Sequence, residues 1–370
     1  MQTRRAFLVS SSAAALTACA PRASITLVPE AALGATRREI FVGTTRAANE
    51  AGAYGNTRAF GTAFSRYAVS IPPEHVTGRI ELAGRRGADP NKHFVATEEE
   101  IFPSSREFRS SIARALRAQR RGQREVVVYV HGFNNTFADG LYRIAQIGHD
   151  LKVPALTVHY SWPSAAKALN YAYDRDSVLF ARDGLVQLLK EVRAAGAENV
   201  TLVGHSMGTL LSMEVMRQLE IEERGQVNKL VHAVILFSPD IDVELFRTQA
   251  LRIGKLPEPF VIFTSRRDRA LALSARLTGQ RQRLGNLRDY SYVQDLDVVI
   301  LDVSEFNAGP DGHFALARSP ALQSIFGNVG AVNAALGADN AGRVGLFPGT
   351  VLTLQNATAI ILSPVAAIGQ

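Results

Sequence analysis

Short, continuous apolar runs rich in β-branched residues recur along this chain at 125–130, 155–160, 200–203, 231–237, 260–263 and 298–301. Between them, apolar residues return at helical spacing over 137–151, 174–195, from Ser206 onward, 243–252 and 270–278. Strands that read as unbroken apolar runs are covered on both faces. Their alternation with helices therefore predicts a doubly wound, mostly parallel sheet with helices on both faces, an α/β architecture. Two earlier strands, 39–43 and 67–71, flank a polar, glycine-containing stretch at 44–61. From residue 327 the chain turns Gly- and Ala-rich with weak periodicity, which predicts an extension over 327–370 that packs irregularly or is partly disordered.

A chain of 370 residues, 46% hydrophobic and 20% charged, can bury a large core, which argues against disorder or a membrane bundle. The first residues differ from the rest. Arg4-Arg5-Ala6-Phe7-Leu8 leads into a small and apolar stretch ending in Leu16-Thr17-Ala18-Cys19. This resembles a twin-arginine export signal over 1–18 and a lipobox, where cleavage leaves Cys19 to be acylated at the head of an anchor or linker over 19–37. Ala18-Cys19-Ala20 also fits an ordinary signal cleavage site, with a soluble periplasmic or secreted product as the alternative.

Cys19 is the only cysteine, so stability rests on packing without an intramolecular disulfide. No later stretch reaches the roughly 20 apolar residues of a spanning helix; 350–362 is too short and holds Gln355 and Asn356. The expectation is a lipoprotein anchored at the periplasmic face of a bacterial membrane. Formal charge is +7, or +5 without Arg4 and Arg5, modest for this length. The basic stretch 106–124 carries Phe108, Ile112 and Leu116 at helical spacing, so it reads as a solvated helix face with no nucleic-acid partner.

The chemistry is concentrated where the run 200–203 ends in Gly204-His205-Ser206-Met207-Gly208. A serine on a tight strand-to-helix turn projects its hydroxyl from the backbone, and small flanking residues let the chain pack there. Ser206 is the candidate nucleophile. One oxyanion donor is the N–H that follows it, Met207; the other is placed at Phe133, in His131-Gly132-Phe133-Asn134-Asn135 after the run 125–130. His131 reads as a loop-shaping hydrogen-bond residue and His205 as a packing residue.

A serine needs a base, and the base a carboxylate to orient it. His313, in Asp311-Gly312-His313-Phe314, is the only histidine after His232 and is the candidate base. Asp268 follows the run 260–263 and is the preferred acid, with Asp240 and Asp242 as alternatives; Asp242 also fits a helix N-cap. No metal, nucleotide or other cofactor motif is present.

With VYVHGFNNTF, YSWPS, VTLVGHSMG, SPDID, TSRRDRALALS and DGHF in order, the chain resembles a bacterial group of α/β hydrolases of the esterase/lipase superfamily, also classed as a domain of unknown function. The resemblance spans about 38–319 and implies the α/β-hydrolase fold for a domain over 38–326. Only about 20 residues separate the runs ending at Phe237 and beginning near Phe260, so no large cap domain is expected. The pocket roof is assigned to loops: Ser161-Trp162-Pro163 with Tyr171 and Tyr173, the segment 279–292, and the stretch 44–61. Trp162 and the tyrosines fit a core role equally. The expected function is an exported serine hydrolase that cleaves small carboxylic ester or acyl substrates through an acyl-enzyme. The alternatives are an acyltransferase or amidase on envelope components, and a non-catalytic envelope lipoprotein that keeps the fold.

Overall fold

A computed structural model describes residues 22–84, 87–280 and 282–304, and the backbone of 351–354 and 360–363. The proposed signal at 1–18, Cys19 and His313 lie outside the described residues. Strands β1 (Thr36–Ala48), β2 (Tyr54–Ile71), β3 (Val95–Phe102), β4 (Glu125–Val130), β5 (Leu156–Ser161) and β6 (Asn199–His205) are followed by β7 (Ala233–Phe237), β8 (Phe260–Thr264), β9 (Val299–Asp302), β10 (Val351–Leu354) and β11 (Ile360–Ser363). They form one sheet in the order β11-β10-β9-β8-β7-β6-β4-β5-β1-β2-β3. Neighbours from β1 through β10 are parallel, and antiparallel pairs β1–β2, β2–β3 and β10–β11 close the two edges.

Helices α1 (Ser105–Leu116), α2 (Phe137–Asp150), α3 (Tyr171–Phe180), α4 (Arg182–Ala194), α5 (Met207–Glu222), α6 (Gln226–Leu230), α7 (Val243–Ile253) and α8 (Arg269–Leu277) alternate with the inner strands. The period-2 alternation of a strand divides its side chains between the faces. In β4, Val126, Val128 and Val130 enter the core beneath α1, α4, α5 and α7, while Tyr129 enters the core beneath α2. Between β7 and β8 the only helix is α7, with no inserted cap domain.

Two local expectations need correction, one strand was not anticipated, and part of the C-terminal extension is described. The polar stretch 44–61 is largely strand, because β1 and β2 run on as a hairpin, with Arg46 opposite Arg58 and Ala48 opposite Tyr54. Strand β3 was hidden by Glu98-Glu99-Glu100; charge suits an edge strand, and Arg37 and Arg66 pair with Glu98 and Glu100 there. The helix read over 174–195 is two, α3 and α4. Tyr160 Oη donates to Ala181 O at 2.6 Å, and Gly184 approaches Tyr160 and Thr45 so closely that a Cβ would lie 2.4 Å from Tyr160 Oη. Within the C-terminal extension, the described residues 351–354 and 360–363 extend the sheet.

Candidate active site

Strand register brings the chemistry to one edge. Val130 lies opposite Gly204, His205 opposite Phe237, Phe237 opposite Phe263, and Phe263 opposite Leu301. Every one of these parallel strands ends at this edge, where Ser206 is the first residue beyond β6. Ser206 adopts φ 51°, ψ −122°, a left-handed conformation outside the ordinary serine wells, and is 3% exposed. The turn is held from both sides: Ser206 N donates to Phe237 O at 2.9 Å, while Ser206 O accepts from Thr209 Oγ1 at 2.6 Å and Asp240 N at 3.2 Å.

Packing explains the glycines around it. A Cβ on Gly208 would sit 2.4 and 2.5 Å from the carbonyl oxygens of His131 and Val130, so only glycine lets α5 start this close to the end of β4. A Cβ on Gly132 would meet His205 Nδ1 at 2.7 Å and Ser206 Cβ at 2.8 Å. The loop carrying Phe133 therefore lies directly against the serine turn. Met207 occupies the first position of α5, where a backbone N–H has no intrahelical acceptor.

An ion network that sequence reading missed supports that loop. Arg46 of β1 is 1% exposed. Its Nη2 donates to Asn135 O at 2.8 Å and lies 3.3 Å from His131 Nε2. Its Nε donates to Ser161 Oγ at 2.9 Å, and its Nη1 to Gly55 O at 3.0 Å and Ser164 O at 3.2 Å. Burial pushes the guanidinium down to about 9, against the pull of Asp174, so it remains a cation at neutral pH. Asp174 is fully buried and accepts from Ser164 Oγ and Ala165 N at 2.6 Å; burial raises its carboxyl above the usual range. The only sequence signal was an arginine inside the otherwise apolar and hydroxylic stretch 40–48 of β1.

His131 is fully buried, stacked on Trp162 at 4.8 Å, with Nδ1 2.8 Å from Gly132 O. Burial, then Arg46 and His159, hold its imidazole well below the usual range, which suits a neutral structural group. Trp162 is likewise fully buried and donates from Nε1 to His131 O at 2.7 Å. It supports the loop from beneath, so the roof assignment at Trp162 is replaced by the core one.

Two of the three carboxylates cap helices, and the third is held in an ion pair. Asp242 caps α7, accepting from Leu245 N at 2.9 Å. Asp240 is buried and bridged to Arg283 Nε at 3.1 Å, with Ser274 Oγ at 2.5 Å and Tyr171 Oη at 3.0 Å. Asp268 stands at the end of the loop after β8, 1% exposed, and caps α8, accepting from Leu271 N at 3.0 Å. That loop is tied to its surroundings by Ser265 N to Gly285 O and Val303 N to Thr264 O. Strand β9 ends at the same edge, with Leu301 opposite Phe263 and Asp302 opposite Thr264.

Residues 104–326 match a known family model, described as "Alpha/beta hydrolase of unknown function (DUF900)". The chain belongs to this family. No curated protein matches the chain. Among solved structures, the Pyrococcus furiosus esterase Pf2001 is 12% identical, with 83% of this chain and 96% of that chain covered and a TM-score of 0.38. An esterase of Rhizomucor miehei is 14% identical, with 90% of each chain covered and a TM-score of 0.34. Lipase B of Aspergillus fumigatus is 18% identical with a TM-score of 0.28; 39% of this chain is covered, and the match spans only 38% of the lipase's length. Within the family domain, the serine turn follows β6 and the Asp268 loop follows β8.

A cavity of about 450 Å³ lies on the α2 side of the sheet, lined by Tyr54, Tyr67, Glu99 and Phe137. Neither Ser206 nor Asp268 lines it, so it is not the candidate catalytic cleft.

Proposed function

We propose that this α/β hydrolase is a serine hydrolase that cleaves carboxylic esters through an acyl-enzyme. Ser206 attacks the carbonyl carbon, and His313 takes the hydroxyl proton and returns it to the leaving alcohol. Asp268 orients the imidazole and stabilises its charge. The N–H groups of Phe133 and Met207 hold the oxyanion; each such donor is worth about 3 kcal/mol in the transition state. Water then attacks the acyl-serine by the same route. The observation that carries this reading is the left-handed backbone of Ser206 at the sheet edge shared with the Asp268 loop.

Export belongs to the same proposal: the signal directs the chain out, and acylated Cys19 tethers it to the membrane. No helix among the described residues is long and apolar enough to cross a bilayer. The test is a series of p-nitrophenyl esters of increasing acyl length. The intact chain is expected to hydrolyse some of them, and Ser206→Ala to lose at least about 10⁴-fold in kcat. Wild-type turnover that survives in Ser206→Ala would contradict it. Cys19→Ser is expected to leave the membrane fraction.

A further inference from the structure

We propose that the rim of the active-site edge is a membrane-docking surface for anionic bilayers, so that the ester substrates are bilayer-resident lipids. The inference rests on the serine hydrolase reading above for its substrate class, and on geometry for its surface.

Two exposed apolar segments meet beside the catalytic loop. Phe133 packs edge-on against Tyr171 at 5.4 Å, and Tyr171 Oη is 2.8 Å from Ser274 Oγ of α8. Leu169 stands two residues before Tyr171 and is 98% exposed; Leu273, next to Ser274, is 58% exposed, and Leu277 one turn on is 62% exposed. Arg269, Leu273 and Leu277 follow at i, i+4 and i+8, which places them along one face of α8. Arg276 and Lys167 are exposed on the same two segments. Apolar side chains interleaved with cations on a surface helix suit an anionic bilayer interface: the leucines enter the headgroup boundary, and the nearby cations are drawn to its negative surface.

The N-terminal segment points the same way. Arg22 donates to Asn134 O at 2.8 Å, to Asn134 Oδ1 at 2.7 Å and to Ala166 O at 3.1 Å, so the chain enters the fold between the oxyanion loop and the loop that bears Leu169. Cys19 lies three positions before Arg22. At most about 10 Å of chain is available between them. Acylation of Cys19 would thus hold this edge, rather than the opposite one, against the bilayer.

The experiment uses the full chain carrying Cys19→Ser, so that lipid anchoring plays no part. Vesicles of phosphatidylglycerol with phosphatidylcholine, and of phosphatidylcholine alone, are sedimented with the protein. Binding is expected to the anionic vesicles and to weaken in high salt. It is expected to fall at least tenfold in Leu273→Glu/Leu277→Glu, with the thermal midpoint of that variant showing that it folds. No binding to the anionic vesicles, or equal binding by the double variant, overturns the proposal. A dimer that the same substitutions dissociate, without vesicle binding, assigns the face to a second copy and overturns it too. Turnover of a water-soluble ester reports the catalytic reading separately, since its absence would remove that reading and leave vesicle binding standing.

Discussion

Ser206 carries backbone strain that its neighbours impose. Its φ of 51° with ψ of −122° is a region glycine enters freely and other residues occupy at a cost of about 1–3 kcal/mol. Hydrogen bonds to Phe237 O and from Thr209 and Asp240 hold it there. Neither Ser206→Gly nor Ser206→Ala should turn over substrate, but the glycine variant relieves the strain. Glycine's greater unfolded freedom offsets roughly 0.5–1 kcal/mol of that relief. Urea unfolding is therefore expected to find Ser206→Gly more stable than Ser206→Ala by about 1 kcal/mol, and a glycine variant less stable than the alanine one by roughly 0.5–1 kcal/mol would mean the turn is unstrained. This residue was legible in the sequence because its requirements are local: two glycines, an apolar strand before it and an apolar helix after it. Asp242 was legible on the same ground as a cap three residues ahead of the N–H it satisfies. Asp240 was not, since its ion pair with Arg283 joins segments 43 residues apart.

At the scale of elements, the decisive contact is between β1 and the loop after β4. Arg46 reaches Asn135 O, Ser161 Oγ and Ser164 O, partners 85 or more residues away in sequence, which is why no periodicity or motif announced it. Arg46→Met leaves several buried acceptors without a donor and removes the cation facing Asp174. Each orphaned acceptor costs about 1–3 kcal/mol. The variant is expected to lose at least about 3 kcal/mol of stability, and kcat is expected to fall in the protein that remains folded because the Phe133 loop loses its support. Lysine cannot reproduce the guanidinium fork, so Arg46→Lys should recover only part of either quantity. Unchanged stability and kcat in Arg46→Met would show that the loop stands without it. Strand β3 was missed for a related reason: its glutamates pair across the edge with arginines of β1 and β2, and local polarity reads as loop until those partners are known.

For the whole molecule, the sheet does two things: it gathers the chemistry at one edge and ties the other down electrostatically. The order of strands and helices was readable because each inner strand is a continuous apolar run, whereas the long β1–β2 hairpin was not, since its polar positions alternate outside the core. Far from Ser206, at the other end of α2, His75 bridges Glu81 and Asp150 at 2.8 Å on each side, with His149 packed edge-on at 5.4 Å. Although burial opposes it, these carboxylates raise the His75 imidazole above its ordinary 6.5. Burial also works against ionised Asp150, but its hydrogen bonds, His75 first, hold it below the ordinary 3.8. A raised imidazole stabilises the fold fully below its unfolded value and loses that contribution as pH rises through its folded value. A lowered carboxyl loses its contribution as pH falls through its folded value. The stability difference between wild type and His75→Gln should therefore be largest between about pH 4 and 6.5 and shrink on either side. Thermal unfolding across that range checks it, and a difference that grows toward pH 9 would contradict the assignment. His149, whose imidazole burial and His75 both lower, titrates in both proteins.

The central claim is that Ser206 is a nucleophile activated by distant residues gathered at the sheet edge. Fluorophosphonate treatment of the folded full-length protein, followed by peptide mass mapping, tests it most directly. A single covalent adduct is expected on the peptide containing Ser206, absent after heat denaturation and absent in His313→Ala. A folded wild-type protein that leaves Ser206 unmodified would contradict it.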